Sequence, residues 1–307
     1  LHLCIALGIK YKSFISFFIL LFVKPYISIA IHRCKKIMKK FKPDIVIGVG
    51  GYVTLPVIVA AQQLGIKTFI HEQNSIPGKS NKWVSKKADK IGVSFKDSLK
   101  YFGDNAILTG NPTASNALVN DKIDKTTYGL HKNKKCVLVV NGSLGSSVMN
   151  GKMIPFLKDI EDEDYEVLYI TGKNYYEDFK KLNLSSNVFV EPFINNLSGL
   201  MKDVDLIISR AGASSIAEIT ALGLPSILIP SPYVANNHQY YNALSIKESK
   251  AGDMIEEKDV TKELLKEKIN NILSDKKKYK EYKDNALKLA NPDSADIIYN
   301  TIKEILK

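Results

Sequence analysis

From Asp44 to Pro230 the chain repeats one pattern: a short, continuous apolar run, a loop of glycine or polar residues, then a helical stretch. "DIVIGVG" (44–50) leads to "TLPVIVAAQQLG" (54–65), and "KTFIHE" (67–72), "DKIGVS" (89–94) and "NAILTGNP" (105–112) follow. A second series holds "CVLVVNGSLGSS" (136–147), "YEVLYITG" (165–172), "NVFVEPF" (187–193), "VDLIISRAG" (204–212) and "PSILIP" (225–230). Runs of this length, rich in Val and Ile and lacking polar alternation, read as strands buried on both faces. Strands of that kind, alternating with helices, form parallel sheets covered on both sides. The predicted class is therefore α/β and doubly wound, with ligands expected at the carboxyl ends of the strands.

At 307 residues the chain exceeds one ordinary domain and suits two. The pattern lapses in the polar segment Thr113–Lys135, which lacks a sustained apolar period and marks the boundary. The expected division is residues 1–120, residues 121–290, and a closing segment 291–307 that returns to the N-terminal domain. That last helix has Asp293-Ser294 as its start.

The formal charge is +11, and no Asp or Glu precedes Asp44 although nine Lys or Arg residues do, from Lys10 to Lys42. Such a surface suits an anionic lipid or a phosphorylated substrate. Nucleic acid is not expected, because no recognition motif or interleaved stacking aromatics accompany the charge. "FISFFILLFV" (14–23) is about half of the ~20 residues that a spanning helix needs, and Lys24-Pro25 is expected to interrupt it. Two readings stay open for it: a core helix, or an apolar face resting on a bilayer with lysines at its rim. The three cysteines, Cys4, Cys34 and Cys136, are scattered, which points to buried free thiols in a reducing compartment.

Four strand-exit loops carry the candidate chemistry. Gly50, Gly51 and Tyr52 in "GVGGY" allow close approach of an anion to backbone N–H groups. "HEQNSIPGKSNKW" (71–83) groups His, Glu, Gln and Asn, side chains that pair with sugar hydroxyls. His71 there is either a general base or a hydrogen-bonded strut. "NGSLGSS" (141–147) has neither dinucleotide nor P-loop spacing, yet offers a small-residue phosphate cradle with Ser143. In "SRAGASSIAEITALG", Ala213, Ser214 and Ser215 leave a helix start open, and Glu218 follows alone among small residues. Glu218 is either a first-turn acid favoured by the helix dipole or a carboxylate reading two hydroxyls. "NNHQYYNA" (236–243) brings His238, Gln239 and Asn242 to the same rim.

These motifs, with "TGNP", stand in the order and approximate spacing of the MurG family, which the chain resembles from about Lys42 to its end. The family transfers N-acetylglucosamine from UDP-N-acetylglucosamine to lipid I, completing lipid II for peptidoglycan. The resemblance implies the GT-B fold, two Rossmann-like domains with a cleft between them. It implies that Glu218 takes the ribose hydroxyls, that Ser143, Ser214 and Ser215 with Ala213 lie at the diphosphate, and that the Ile194 backbone meets uracil. Asn74 and Gln239 would read the N-acetylglucosamine hydroxyls, while Gly50, Gly51 and Tyr52 face the acceptor pyrophosphate. No cofactor and no protein-bound metal are implied. The implied partners are UDP-N-acetylglucosamine, lipid I and an anionic membrane surface, at the cytoplasmic face of the bacterial membrane.

Three departures stand out. The family's opening glycine-rich loop and its histidine, a candidate base, have no counterpart, so an incomplete N-terminal domain is expected and the base is unassigned. Ala114 occupies a position where an arginine near the nucleotide is common, and Asn141 one where glycine is usual. "DVD" (203–205) precedes a buried run and reads as structural rather than as a metal motif. The rival readings are another GT-B enzyme, such as a UDP-N-acetylglucosamine 2-epimerase, and a fragment that binds the nucleotide sugar without turnover.

Overall fold

The computed structural model describes residues 11–142 and 145–307, with side chains from Pro25 onward. Ser143 and the side chains of the apolar run 14–23 lie outside the described residues. The N-terminal sheet has four parallel strands in sequential order: β1 (Ile45–Gly48), β2 (Lys67–Glu72), β3 (Lys90–Val93) and β4 (Ala106–Leu108). Helices α1 (Tyr11–Phe41), α2 (Thr54–Gln63) and α3 (Lys79–Val84) accompany it. Its core joins Ile58 of α2 to Ile70, Ile91 and Val93 of the strands.

Helix α1 runs through Pro25, where the sequence predicts an interruption. A proline inside a helix removes one N–H bond and bends the axis without forbidding continuation when packing holds the two halves. After Pro25, Ile27, Ile31, Cys34 and Met38 pack the helix against the α2 side of the sheet.

The C-terminal sheet has six parallel strands in the order β10-β9-β8-β5-β6-β7. They span Asp253–Met254 (β10), Ser226–Leu228 (β9), Leu206–Ser209 (β8), Lys135–Val140 (β5), Tyr165–Ile170 (β6) and Val188–Glu191 (β7). The chain winds outward one way from β5 and the other way from β8, so these two central strands define the topological switch point. Every residue of β6 is buried, as a strand covered on both faces requires. The carboxylates of "DVD" are spent on structure: Asp203 accepts from the Lys125 backbone N–H and pairs with Lys122, and Asp205 accepts from the Cys136 N–H at 2.8 Å.

Helix α4 (Thr113–Val119) occupies the start of the polar segment that reads as a linker, and packs on α8 (Ala213–Ala221) of the other sheet's layer. Its short length and the two serine and threonine bonds below explain why no apolar period shows. Thr113 Oγ1 donates to the Ser214 carbonyl at 3.3 Å, and Ser115 Oγ to the Pro292 carbonyl at 2.6 Å. The closing helix α12 (Ser294–Leu306) crosses back to touch α4, β2 and β3. The crossing needs Gly110, whose φ is +71° and whose added Cβ would lie 2.3 Å from Asn291 Cβ and Ser294 Oγ. Gly110→Ala is therefore expected to lower stability by about 1–3 kcal/mol through backbone strain and displacement of α12, read as a fall in the urea midpoint.

Candidate functional site

Val140 pairs with Ser209 at the ends of β5 and β8, so their exit loops leave the sheet side by side. Between these loops lies a cavity of about 600 Å³. Asn141, Gly142, Gly145 and Ser146 form one wall and Arg210 and Gly212 another. Ser215 and Glu218 reach it from α8, and Gln239 from α9 (His238–Glu248). Gly145 cannot be replaced cheaply, since an added Cβ would sit 2.3 Å from the Thr171 carbonyl oxygen. Ser146 caps helix α5 (Ser147–Leu157), its hydroxyl accepting from the Met149 N–H.

Glu218 is the sixth residue of α8, past the first turn where the helix dipole acts, which removes the dipole explanation for an acid there. Its carboxyl is half-buried and makes no hydrogen bond or ion pair among the described residues. Burial pushes its pKa above the ordinary glutamate value. A desolvated carboxylate on a cavity wall with free lone pairs is equipped to accept hydroxyl protons.

Arg210 was not singled out by its sequence neighbours, and the structure gives the cavity a guanidinium there. The side chain is nearly buried, ion-paired with the buried Glu257, and donates to the Ile229 carbonyl at 3.2 Å and to Ser146 Oγ at 3.3 Å. Its acidic partner lies 47 positions away in a separate element, so no local signal reveals the pair. Asn141 is buried, and its Nδ2 donates to the Tyr169 hydroxyl at 2.9 Å, which in turn donates to Asn150 Oδ1 at 2.6 Å. The amide thus ties the β5 exit to α5 where a glycine would leave that hydroxyl's acceptor side empty. Gln239 Oε1 accepts from the Ser231 N–H at 2.8 Å, leaving its N–H groups for the cavity.

Other sequence-predicted residues fall elsewhere. Ile194 is buried in a core cluster and is not among the residues that line the cavity. Ala213 and Ser214 sit at the start of α8 outside the cavity wall, with the Ser214 carbonyl engaged by Thr113. Ala114 is buried at the junction of the two layers and lines a second cavity of about 280 Å³. Gly50 and Gly51 have φ of +90° and +77°, and the Tyr52 side chain is 87% exposed.

The loop after β2 is organised by Glu72. Its buried carboxylate accepts from the Asn74 and Gly78 backbone N–H groups, at 2.9 and 3.0 Å, and from Asn81 Nδ2 at 2.9 Å. His71 is a strut: it is buried, its Nε2 donates to the Gly110 carbonyl at 2.9 Å, and desolvation lowers its pKa. Asn74 lies across the domain junction from the cavity, hydrogen-bonded to Asn242 at 3.2 Å.

The motifs and this geometry have counterparts in known proteins. Residues 10–93 match the glycosyltransferase family 28 N-terminal domain, and residues 136–298 match the family's C-terminal domain. A Bacillus licheniformis protein is 42% identical over 281 residues, covering 90% of this chain and 77% of the relative. It is named UDP-N-acetylglucosamine--N-acetylmuramyl-(pentapeptide) pyrophosphoryl-undecaprenol N-acetylglucosamine transferase. The chain belongs to the MurG family.

A Halalkalibacterium halodurans relative of the same name is also 42% identical over 90% of this chain and 77% of its own length. The solved MurG of Acinetobacter baumannii matches with a TM-score of 0.75 at 26% identity, over 91% of this chain and 80% of that one. The architecture is accordingly GT-B, as the MurG resemblance implies. A UDP-GlcNAc 2-epimerase from Neisseria meningitidis, solved with UDP-GlcNAc bound, has a TM-score of 0.66 at 14% identity over 91% of this chain and 81% of that one. That likeness is one of fold alone.

The raised Glu218 pKa has a stability consequence with a definite sign. The folded state holds this proton more tightly than the unfolded chain, so stability falls as pH rises from the ordinary glutamate value through the elevated one. Glu218→Gln is thus expected to raise the melting temperature at pH 7, with the gain vanishing below the unfolded-state pKa. Thermal melts across pH 3–8 read the difference.

Proposed function

We infer that the chain is an inverting glycosyltransferase. It moves N-acetylglucosamine from UDP-N-acetylglucosamine to the C4 hydroxyl of undecaprenyl-pyrophosphoryl-MurNAc-pentapeptide, converting lipid I to lipid II in peptidoglycan synthesis. The observation that carries this reading is the uncommitted Glu218 carboxylate on the wall of a 600 Å³ cavity at the switch point of the C-terminal sheet, in a MurG-family chain.

In this reading Glu218 accepts both ribose hydroxyls, and the Ile194 backbone pairs with uracil. Ser215 of the cavity wall faces the diphosphate at the α8 N-terminus, which Ala213 and Ser214 begin, and the β5 exit loop that carries Ser143 is read as its second support. Asn74 and Gln239 read the sugar hydroxyls, and Gly50, Gly51 and Tyr52 take the acceptor pyrophosphate. The C4 oxygen attacks the anomeric carbon from the face opposite the leaving group, so the bond to the diphosphate oxygen breaks with inversion. Negative charge grows on UDP, and fixed loop and helix N–H groups stabilise it without reorganising. His71 is read here as a strut rather than the base, because its ring is buried and tied to the Gly110 carbonyl away from solvent. We divide the chain at about residue 120, with the last helix belonging to the N-terminal domain.

The acceptor is a membrane lipid, and α1 offers a surface to match. Tyr26, Ile29, Ile37 and Phe41 are exposed among the basic residues Arg33, Lys36, Lys39 and Lys40. Apolar side chains rimmed by cations fit an anionic bilayer surface on the cytoplasmic face. Among the described residues no helix is long and apolar enough to cross a membrane. Replacing Ile37 and Phe41 by Ser is expected to reduce cosedimentation with phosphatidylglycerol vesicles while leaving the circular dichroism spectrum unchanged.

Release of UDP that depends on added lipid I tests the reaction itself; release at equal rate without acceptor would sink it. Glu218→Ala is expected to weaken UDP-N-acetylglucosamine by about 1–3 kcal/mol, the cost of lost and unpaired hydrogen bonds. Isothermal titration calorimetry checks this value, and unchanged affinity would remove Glu218 from the site.

A further inference from the structure

Asn242 is wholly buried on α9, one turn beyond Gln239, and makes hydrogen bonds to both domains. Its Oδ1 accepts from the Ser75 N–H and from the Ser75 hydroxyl, both at 2.9 Å. Its Nδ2 donates to Asn74 Oδ1 and to the Ala211 carbonyl, both at 3.2 Å. An amide has two acceptor and two donor positions, and all of them are used here. Ala211 sits between Arg210 and Gly212, which both line the nucleotide cavity.

The bonds also have a fixed polarity. Glu72 Oε1 accepts from Asn74 Nδ2 at 3.3 Å, and a buried carboxylate with this role accepts only. That fixes Asn74 with its oxygen toward Asn242, which meets it with an N–H. At the far end the Ser75 backbone N–H can only donate, so Asn242 must offer it oxygen. Each amide has one orientation in which every bond is satisfied, and a flip of either would bring like atoms together at both its ends. Ser98 Oγ, donating to the Asn74 carbonyl at 2.6 Å, braces the same loop from its own domain.

We propose that Asn242 is a positioning residue that orients the Asn74 amide for the sugar and links the sugar-reading loop of one domain to the nucleotide loop of the other. It deepens the reading given above for Asn74 and rests on it. With one bond on its oxygen and one on its nitrogen, Asn74 keeps one lone pair and one N–H in a fixed plane to exchange with a sugar hydroxyl. Asn242 touches neither substrate, so its effect falls on the part of the ligand that Asn74 reads. Affinity for UDP, which has no sugar beyond the ribose, is independent of it.

The test compares binding of UDP-N-acetylglucosamine and UDP by calorimetry in the full chain. Asn242→Asp keeps shape and the acceptor for Ser75 but turns a carboxylate oxygen toward Asn74 Oδ1 and the Ala211 carbonyl. It is expected to weaken UDP-N-acetylglucosamine about tenfold, one hydrogen bond's worth, and UDP by less than about twofold. Asn74→Ala is expected to give the same pattern, and the double variant to be no worse than Asn74→Ala alone. Equal losses for the two ligands, no loss, or multiplying losses in the double variant would each overturn the proposal. Where Asn242→Asp does not fold, Asn242→Ser removes the amide donor without adding charge and carries the same comparison. Glu218→Ala separates the two readings. If it weakens both ligands while Asn242→Asp does not discriminate between them, only the positioning role falls. If it weakens neither, the nucleotide site itself falls.

Discussion

The pairing of β5 with β8 sets the site. Those two parallel strands sit side by side although 69 positions separate their paired residues, and the chain departs from them in opposite directions. Two exit loops must therefore diverge at one edge, and the space between them cannot be filled by either crossover helix. Glycines at 142 and 145 keep that space open, while Ser146 and Gly212 begin helices whose N–H groups face it. The cavity follows from topology before any side chain gives it chemistry.

Fold likeness alone does not select that chemistry. A transferase and 2-epimerases share the architecture at TM-scores of 0.65 to 0.75, and the epimerases do so at 14 to 17% identity. What sets this chain with the transferases is the loops, and the sequence relation of 42% over nine-tenths of the chain. The loops are informative because they carry polar groups that the fold does not need. Glu72 is the instructive exception: it looks like a site acid in "HEQN", yet its carboxylate is used up in holding the loop together.

Most of the strands were legible because apolar runs bounded by glycine leave few alternatives; β6, β8 and β9 lie within the predicted segments, and β5 begins one residue before its own. Glu218 was legible for a related reason, being a lone charge among small residues. Other features were not. Strand β10 is two residues long, below any useful period. Helix α4 hides in a polar segment because it docks through small residues and hydroxyl bonds, Thr113 to α8 and Ser115 to Pro292. The Arg210–Glu257 pair and the Asn74–Asn242 bond join positions 47 and 168 apart, and pairings at that range leave no mark in local composition.

Asn242 and Arg210 make the same physical point at opposite ends of α9's neighbourhood. A free lysine in the cleft would attract the diphosphate more strongly, but it would be hydrated and mobile, and would have to be ordered when the ligand arrives. Arg210, held by Glu257, Ser146 and the Ile229 carbonyl, brings less net charge and a fixed edge. In the reaction proposed here charge develops on the leaving group rather than being present in full at the start. Donors whose positions are settled beforehand act on that difference, because the ordering has already been accomplished in folding.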